Sequence, residues 1–231
     1  MSRDDGAHGT FAHDVLAVVF GVRDDALSVL LWRRGRAPQR GRWALPGGPL
    51  GARERLGASV ARHLADQVDV AELTHLEQLQ TRSDPRRDTR ARVLATAYLG
   101  LVPYGAQPGL PADTAWHPVD RLPPLAFDHA SIVDAARERL RGKLSYTTIA
   151  WALAPPEFTV STLRGVYRAV LGYEVSATNL ARVLGRRHAL VATGAVSAPG
   201  TDGGRPARTY RFAHAGVQVT DPFAAFRPPP E

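Results

Sequence analysis

Apolar and polar residues alternate between two rhythms along this chain. His13-Asp-Val-Leu-Ala-Val-Val-Phe-Gly21 is an apolar run with polar borders, and Ala26-Leu-Ser-Val-Leu-Leu-Trp32 follows after a short Arg-Asp-Asp turn. Together they predict two paired strands of a core sheet. Residues 33–50, rich in Arg, Gly and Pro, read as largely loop. Leu56, Val60 and Leu64 then recur at intervals of four, the stripe of an amphipathic helix over 53–68. A strand is expected at 91–102, where β-branched and aromatic residues accumulate. Surface loop is expected at 103–125, and a helix at 128–140 with Ile132, Ala135 or Ala136, and Leu140 on one face.

The texture changes near residues 144–157. Leu144–Leu153 reads as ordered, and Ala154-Pro-Pro156 stops it, dividing the chain into residues 1–153 and 154–231. Beyond the prolines, Leu163, Val166, Tyr167 and Val170 lie at helical spacing. A second short helix runs to Arg187, with Ser176 as N-cap and Leu180, Val183 and Leu184 inward. Strands are expected at 189–196 and 207–212 around a Gly/Pro turn. Helix, turn, helix and a two-stranded wing make a winged-helix pattern.

Charge follows the same division. Residues 1–143 carry 20 basic and 17 acidic side chains, and residues 144–231 carry 9 and 5, so the shorter part is the more basic per residue. The formal net charge of +7 points to an anionic partner. With no Cys, disulfides and Cys-based zinc sites are excluded. The polar first fifteen residues lack the features of a signal peptide, and no apolar run approaches the ~18 residues of a membrane span. A soluble cytoplasmic protein is expected.

Two constellations carry candidate chemistry. In the second C-terminal helix Thr178, Arg182 and Arg186 are spaced by four and share a face, with Asn179 beside them and Arg187 at the end. Arg reads guanine bidentately, Asn reads adenine, and Thr meets a thymine methyl or a phosphate. A solvated helix face is the plainer alternative. Gly203-Gly204-Arg205-Pro206-Ala207-Arg208 places two Arg at a tight turn, where a wing reaches phosphate or the minor groove, and this favours DNA.

The other constellation is a rewritten signature. Gly48, Glu54, Arg62, Leu64 and Val70 stand at the spacing of the Nudix box, a Gly followed by Glu and then by Arg-Glu-U-x-Glu-Glu-x-Gly-U, where U is aliphatic. Three Glu at i, i+3 and i+4 of one helix would share a face and hold Mg²⁺. Here those positions are His63, Asp66 and Gln67, and Asp69 replaces the second Gly. Only Asp66 is an anionic oxygen ligand, while His63 better suits zinc or copper. No metal site and no catalytic residue is assigned. Glu54 with Arg62 reads as a structural ion pair.

A Nudix-like domain joined to a winged helix resembles the NrtR group, the Nudix-related transcriptional regulators of NAD metabolism. The similarity is strongest at Trp43-Ala-Leu-Pro-Gly-Gly48, at Asp84-Pro-Arg-Arg-Asp-Thr-Arg90, at Leu125-Ala-Phe-Asp-His129 and at Gly203-Gly-Arg-Pro-Ala-Arg-Thr-Tyr-Arg-Phe212. It implies an α+β chain, with an N-terminal Nudix-like α/β/α sandwich on a mixed sheet and a C-terminal winged helix-turn-helix domain. It further implies a homodimeric repressor that holds a palindromic double-stranded operator near NAD biosynthesis or salvage genes. ADP-ribose or a related nucleotide would be its effector, with no required cofactor. Magnesium is left open by His63 and Asp69, and loss of catalytic Glu is common in the group.

For the nucleotide, Gly47 and Gly48 can bring backbone amides close to a diphosphate. Arg36 and Arg42 flank that loop, Arg90 and Arg92 alternate onto one strand face, and Trp43 is placed to stack on adenine. Each has an ordinary alternative as a turn Gly, a surface Arg or a loop-packing Trp. His129 is expected either to cap a helix or to touch ligand. The rival readings are a Nudix hydrolase with residual activity on ADP-ribose or another nucleoside diphosphate derivative, and a basic RNA-associated or protein-interaction module. The box letters weigh against the first, and the missing interleaved aromatics against the second.

Overall fold

Val15–Phe20 is apolar at every position, so the strand carrying it has to be covered on both faces. The computed structural model, which describes residues 11–70, 73–106, 109–197 and 206–221, provides that cover. In β1 (Ala12–Arg23) alternate side chains part to opposite sides: Val15, Ala17 and Val19 meet Val60, Leu64 and Val68 of α1 (Leu56–Val68). Leu16, Val18, Phe20 and Val22 meet Ile132, Val133, Ala136 and Leu140 of α2 (His129–Tyr146). The result is a helix on each side of one sheet, an α/β/α sandwich.

Among the described residues seven strands form that sheet. β2 (Ala26–Arg33) returns antiparallel along β1 through a two-residue turn, with Asp24 and Asp25 both at positive φ (46° and 60°) and Arg23 paired with Ala26. β3 (Trp43–Ala44) pairs with β2, and β4 (Gly47–Pro49) pairs with the first half of β1. β5 (His75–Arg82) runs antiparallel to β6 (Val93–Leu101), which lies parallel to β1. β7 (Thr114–Pro118) adds to β2. The order is β3-β2-β1-β6-β5. Because β1 pairs with β4 at Asp14–Leu16 and with β2 only from Phe20 onward, β2 and β4 part from each other along β1 and leave a gap between them.

Several expectations are corrected here. The stretch 103–125 is not all loop, since it holds β7 and a 3-10 turn at Val119–Arg121. β5 and β7 carry few apolar residues because each pairs along one edge only, and in β5 Leu79 alone is buried. The first helix starts at Leu56 rather than at residue 53, and the second continues past 140 to Tyr146. Asp69 ends α1 in the left-handed region (φ 52°), a conformation in which Gly is favoured and Asp is tolerated.

After a 3-10 turn at Ile149–Ala152, β8 (Phe158–Thr159) leads into α3 (Val160–Leu171) and α4 (Ala177–Arg186). Thr159 caps α3 and Ser176 caps α4, each side chain accepting from the backbone N–H three residues on. β9 (Leu190–Val196) and β10 (Arg208–Phe212) complete a winged helix with sheet order β8-β10-β9. Its third strand, β8, has only two residues and no periodicity to betray it. The apolar core does not break at the prolines: Leu144, Ile149 and Leu153 belong to one cluster with Phe158, Leu163 and Val166. Arg168 of α3 also pairs with Asp25 of the β1–β2 turn at 3.0 Å.

Candidate functional site

The gap beside β1 is a cleft of about 300 Å³. Asp14 and Leu16 of β1, Trp32 of β2 and Leu45 line it together with Gly47, Gly48 and Pro49 of β4. Arg34, Arg36, Arg87, Asp88, Arg90, Phe127 and His129 complete the lining. Four guanidinium groups against two carboxylates suit an anionic ligand, and Trp32 and Phe127 offer aromatic surface.

Long-range contacts position these groups. Trp32 donates its indole N–H to the Leu45 carbonyl at 3.1 Å. The Arg34 guanidinium lies 4.8 Å over the Phe127 ring, and burial pushes its pKa down. Arg87 has a side chain only 4% exposed and is paired with Asp128 at 2.9 Å. Arg90 holds Asp88 at 2.7 Å, and that hydrogen bond keeps the Asp88 carboxyl below its ordinary pKa. Burial moves Asp14 the other way, upward, with Arg87 opposing the shift. His129 is buried, and its Nδ1 accepts from the Leu45 N–H at 3.0 Å, leaving the proton of the neutral ring on Nε2. Desolvation pushes its pKa down to about 3. It therefore holds the cleft wall as a neutral acceptor, and it does not cap α2.

Of the residues expected to bind nucleotide, Arg36, Gly47, Gly48 and Arg90 line the cleft, and Arg42, Trp43 and Arg92 do not. Trp43 packs edge-on against His117, with centroids 4.4 Å apart, and the Arg33 guanidinium lies 5.3 Å from its ring. Arg42 reaches the Leu125 carbonyl and Arg92 the Ser83 carbonyl. Arg90 and Arg92 precede β6, so no strand face joins them. Asp14, Trp32, Arg34, Arg87, Asp88 and Phe127 were not singled out individually from the sequence. Arg87, Asp88 and Phe127 do lie inside the family-like segments at 84–90 and 125–129.

The box residues face the same loop. A Cβ on Gly47 (φ 148°) would come 2.1 Å from the Val15 carbonyl oxygen, so the close approach of β4 to β1 requires glycine. The Gly47 N–H is not turned toward the cleft, because it donates to Gln67 Oε1 at 2.8 Å. Gln67 Nε2 donates in turn to the Gly47 carbonyl at 2.9 Å. His63 sits under Gly48 with Nε2 3.1 Å from the Pro49 carbonyl. Arg62 grips Glu54 at 2.7 Å, and Asp66 is 63% exposed. With both polar atoms of Gln67 and Nε2 of His63 committed to backbone, this set does not fit Mg²⁺, which wants several oxygen ligands. Among the described residues no three His, Cys, Asp or Glu converge on one point.

On the winged helix, Thr178, Asn179, Arg182 and Arg186 are exposed on α4, opposite buried Leu180 and Leu184. Arg182 donates to Asn179 Oδ1 at 2.6 Å, which pre-orders that pair. Arg208 is exposed at the start of β10, and Arg205 lies outside the described residues. Arg187 departs from the expectation: it donates to the Ser145 carbonyl at 2.9 Å and reaches Asp221 at 3.4 Å, so it faces α2 rather than the open side of α4.

Family models match both halves: the NUDIX domain over residues 12–136 and the NrtR DNA-binding winged helix domain over residues 150–212. The chain is also 31% identical over 205 residues to the ADPR responsive transcriptional repressor NtrR of Acinetobacter baylyi, covering 84% of this chain and 79% of that protein. The chain belongs to the NrtR family. Its structure is similar to Shewanella oneidensis NrtR complexed with a 27mer DNA, with TM-score 0.75 and 31% identity over 86% of this chain and 92% of that one. The NUDIX domain of the same NrtR complexed with ADP ribose matches at TM-score 0.52 and 35% identity, covering 59% and 93%. Among the described residues no helix is long and apolar enough to cross a membrane.

Proposed function

We propose that this NrtR-family chain is a cytoplasmic, homodimeric repressor of NAD biosynthesis or salvage genes that releases a palindromic operator when ADP-ribose or a related NAD-derived nucleotide fills the cleft. Residues 1–153 carry ligand recognition and dimerisation, and residues 154–231 read DNA. Thr178, Asn179, Arg182 and Arg186 face base edges, with Arg205 and Arg208 on the backbone. In the cleft, Arg34, Arg36 and Arg90 serve the diphosphate and Trp32 or Phe127 a ring.

The observation that carries this reading is the course of α2. Its first residue, His129, forms a wall of the cleft, and its last turn holds the winged helix. There the Ser145 carbonyl accepts from Arg187 at the end of α4, and the Tyr146 carbonyl accepts from Thr220 N–H at 2.9 Å. Eighteen helical residues span about 27 Å at ~1.5 Å each, so one rigid element touches both sites. A ligand that prefers one position of α2 thereby shifts the placement of α4.

A purely hydrolytic role lacks its chemistry. Metal-assisted attack on a diphosphate needs a cluster of carboxylates, and only Asp66 remains on that helix face. The deciding experiment is fluorescence anisotropy of a labelled duplex carrying a palindrome from the promoter region of NAD biosynthesis or salvage genes, titrated with ADP-ribose. Weaker DNA binding as ADP-ribose rises supports the reading. Operator affinity unchanged while ADP-ribose is demonstrably bound rejects it.

A further inference from the structure

Gln67 and Gly47 form a closed pair of hydrogen bonds that a glutamate could not make. The Gly47 N–H donates to Oε1 at 2.8 Å, and Nε2 donates to the Gly47 carbonyl at 2.9 Å. Since one backbone group is a donor and the other an acceptor, the orientation of the amide is fixed. A carboxylate here would satisfy the N–H but set its second oxygen against the carbonyl. The observed position of β4 and a metal-binding glutamate at residue 67 therefore exclude each other.

His63 acts on the same loop one turn earlier. His63 is 7% exposed and its ring lies under Gly48, where a Cβ would come within 2.9 Å of Cε1. Nε2–H donates to the Pro49 carbonyl at 3.1 Å. On the other flank β4 is held by β1, with Leu16 opposite Gly47 and Val15 opposite Gly48. The floor of the cleft is thus pinned from the sheet and from α1 by the protein's own donors and acceptors. The positive charge around it comes from Arg34, Arg36, Arg87 and Arg90.

We propose that Gln67 and His63 are positioning residues that fix β4 through their own hydrogen bonds, so that the cleft binds its nucleoside diphosphate ligand without any divalent metal. This rests on the reading of the cleft as an ADP-ribose site. One further consequence is specific to the amide: Gln67→Glu turns a metal-indifferent site into a metal-responsive one, because the released carboxylate joins Asp66 on the exposed side of α1.

The test is calorimetric titration of the full chain with ADP-ribose, in EDTA and in Mg²⁺, for wild type, Gln67→Glu and Gln67→Met. Thermal unfolding confirms that each variant is folded. Wild type is expected to bind equally in both buffers. Gln67→Met is expected to bind about tenfold more weakly in both, a loss of roughly 1.4 kcal/mol for two hydrogen bonds. Gln67→Glu should lose at least as much in EDTA and regain part of it in Mg²⁺. If wild type binds only with Mg²⁺, or if both variants match wild type in EDTA, the positioning role is overturned. Should Gln67→Glu unfold, the Met variant and the wild-type buffer comparison still decide. Absence of ADP-ribose binding by wild type in either buffer overturns the assignment of the cleft itself, a distinct failure.

Discussion

Arg187, the residue that ends α4, donates to the Ser145 carbonyl at 2.9 Å, one residue before the end of α2. The same guanidinium reaches Asp221 at 3.4 Å, so three segments meet at one side chain. Its side chain is 22% exposed, which makes it a strut rather than a free DNA contact. Arg187→Ala should leave ADP-ribose affinity unchanged but shrink its effect on operator affinity, which at typical couplings of ~1–3 kcal/mol is about 5–150-fold. Anisotropy titrations on wild type and variant measure both quantities. A variant that keeps the full ligand response would place the link elsewhere.

Hydrolysis tests the box directly. With Gln67 and His63 bound to the β4 backbone, ADP-ribose incubated with the protein and Mg²⁺ should remain intact. Turnover near the typical enzymatic ~10 s⁻¹, followed by release of AMP, would contradict that expectation.

What the sequence made legible depended on whether the cause was local. β1, β2, α1, α3 and α4 were readable because their periodicity records which face is buried. Edge strands β5 and β7 were not, since an edge asks little of side-chain polarity. In the cleft, Gly47 and Gly48 were readable as glycines with a purpose, but the purpose is close packing on Val15 and His63. Trp43 stands out in sequence because it sits in the recognisable motif, whereas Trp32, which lines the cleft, is one more apolar residue of a core strand. Which of the two lines the gap is decided by where β1 exchanges β4 for β2, a property of the sheet as a whole. Arg87 and Asp128 meet across 41 positions, and no spacing rule reaches that far.

The exposed face of α4 predicts a division of labour in DNA binding. Arg182→Ala or Arg186→Ala should cost about 1–3 kcal/mol with operator DNA and relax sequence preference. Arg208→Ala should weaken all duplexes alike and lower the salt slope by about one. Binding isotherms at several salt concentrations, on operator and on scrambled duplex, separate the two. Wild-type affinity in both α4 variants would remove the helix from the interface.

His129 predicts a pH dependence of stability. Burial pushes its folded pKa down from 6.5 to about 3, so the native ring stays neutral while the unfolded one charges. The unfolded state then binds more protons between those two values, and stability must fall as pH drops below about 6.5 toward about 3, with no contribution above that window. At pH 5 the loss from this one group is up to roughly 2 kcal/mol relative to pH 7. Asn at this position offers an acceptor to the Leu45 N–H without a titrating ring, so His129→Asn should be less stable than wild type at pH 7, yet lose less between pH 7 and pH 5. Urea unfolding of both proteins at the two pH values gives the difference of differences, in which every other titrating group common to them cancels. Equal losses in the two proteins would mean that His129 is not held neutral by the fold.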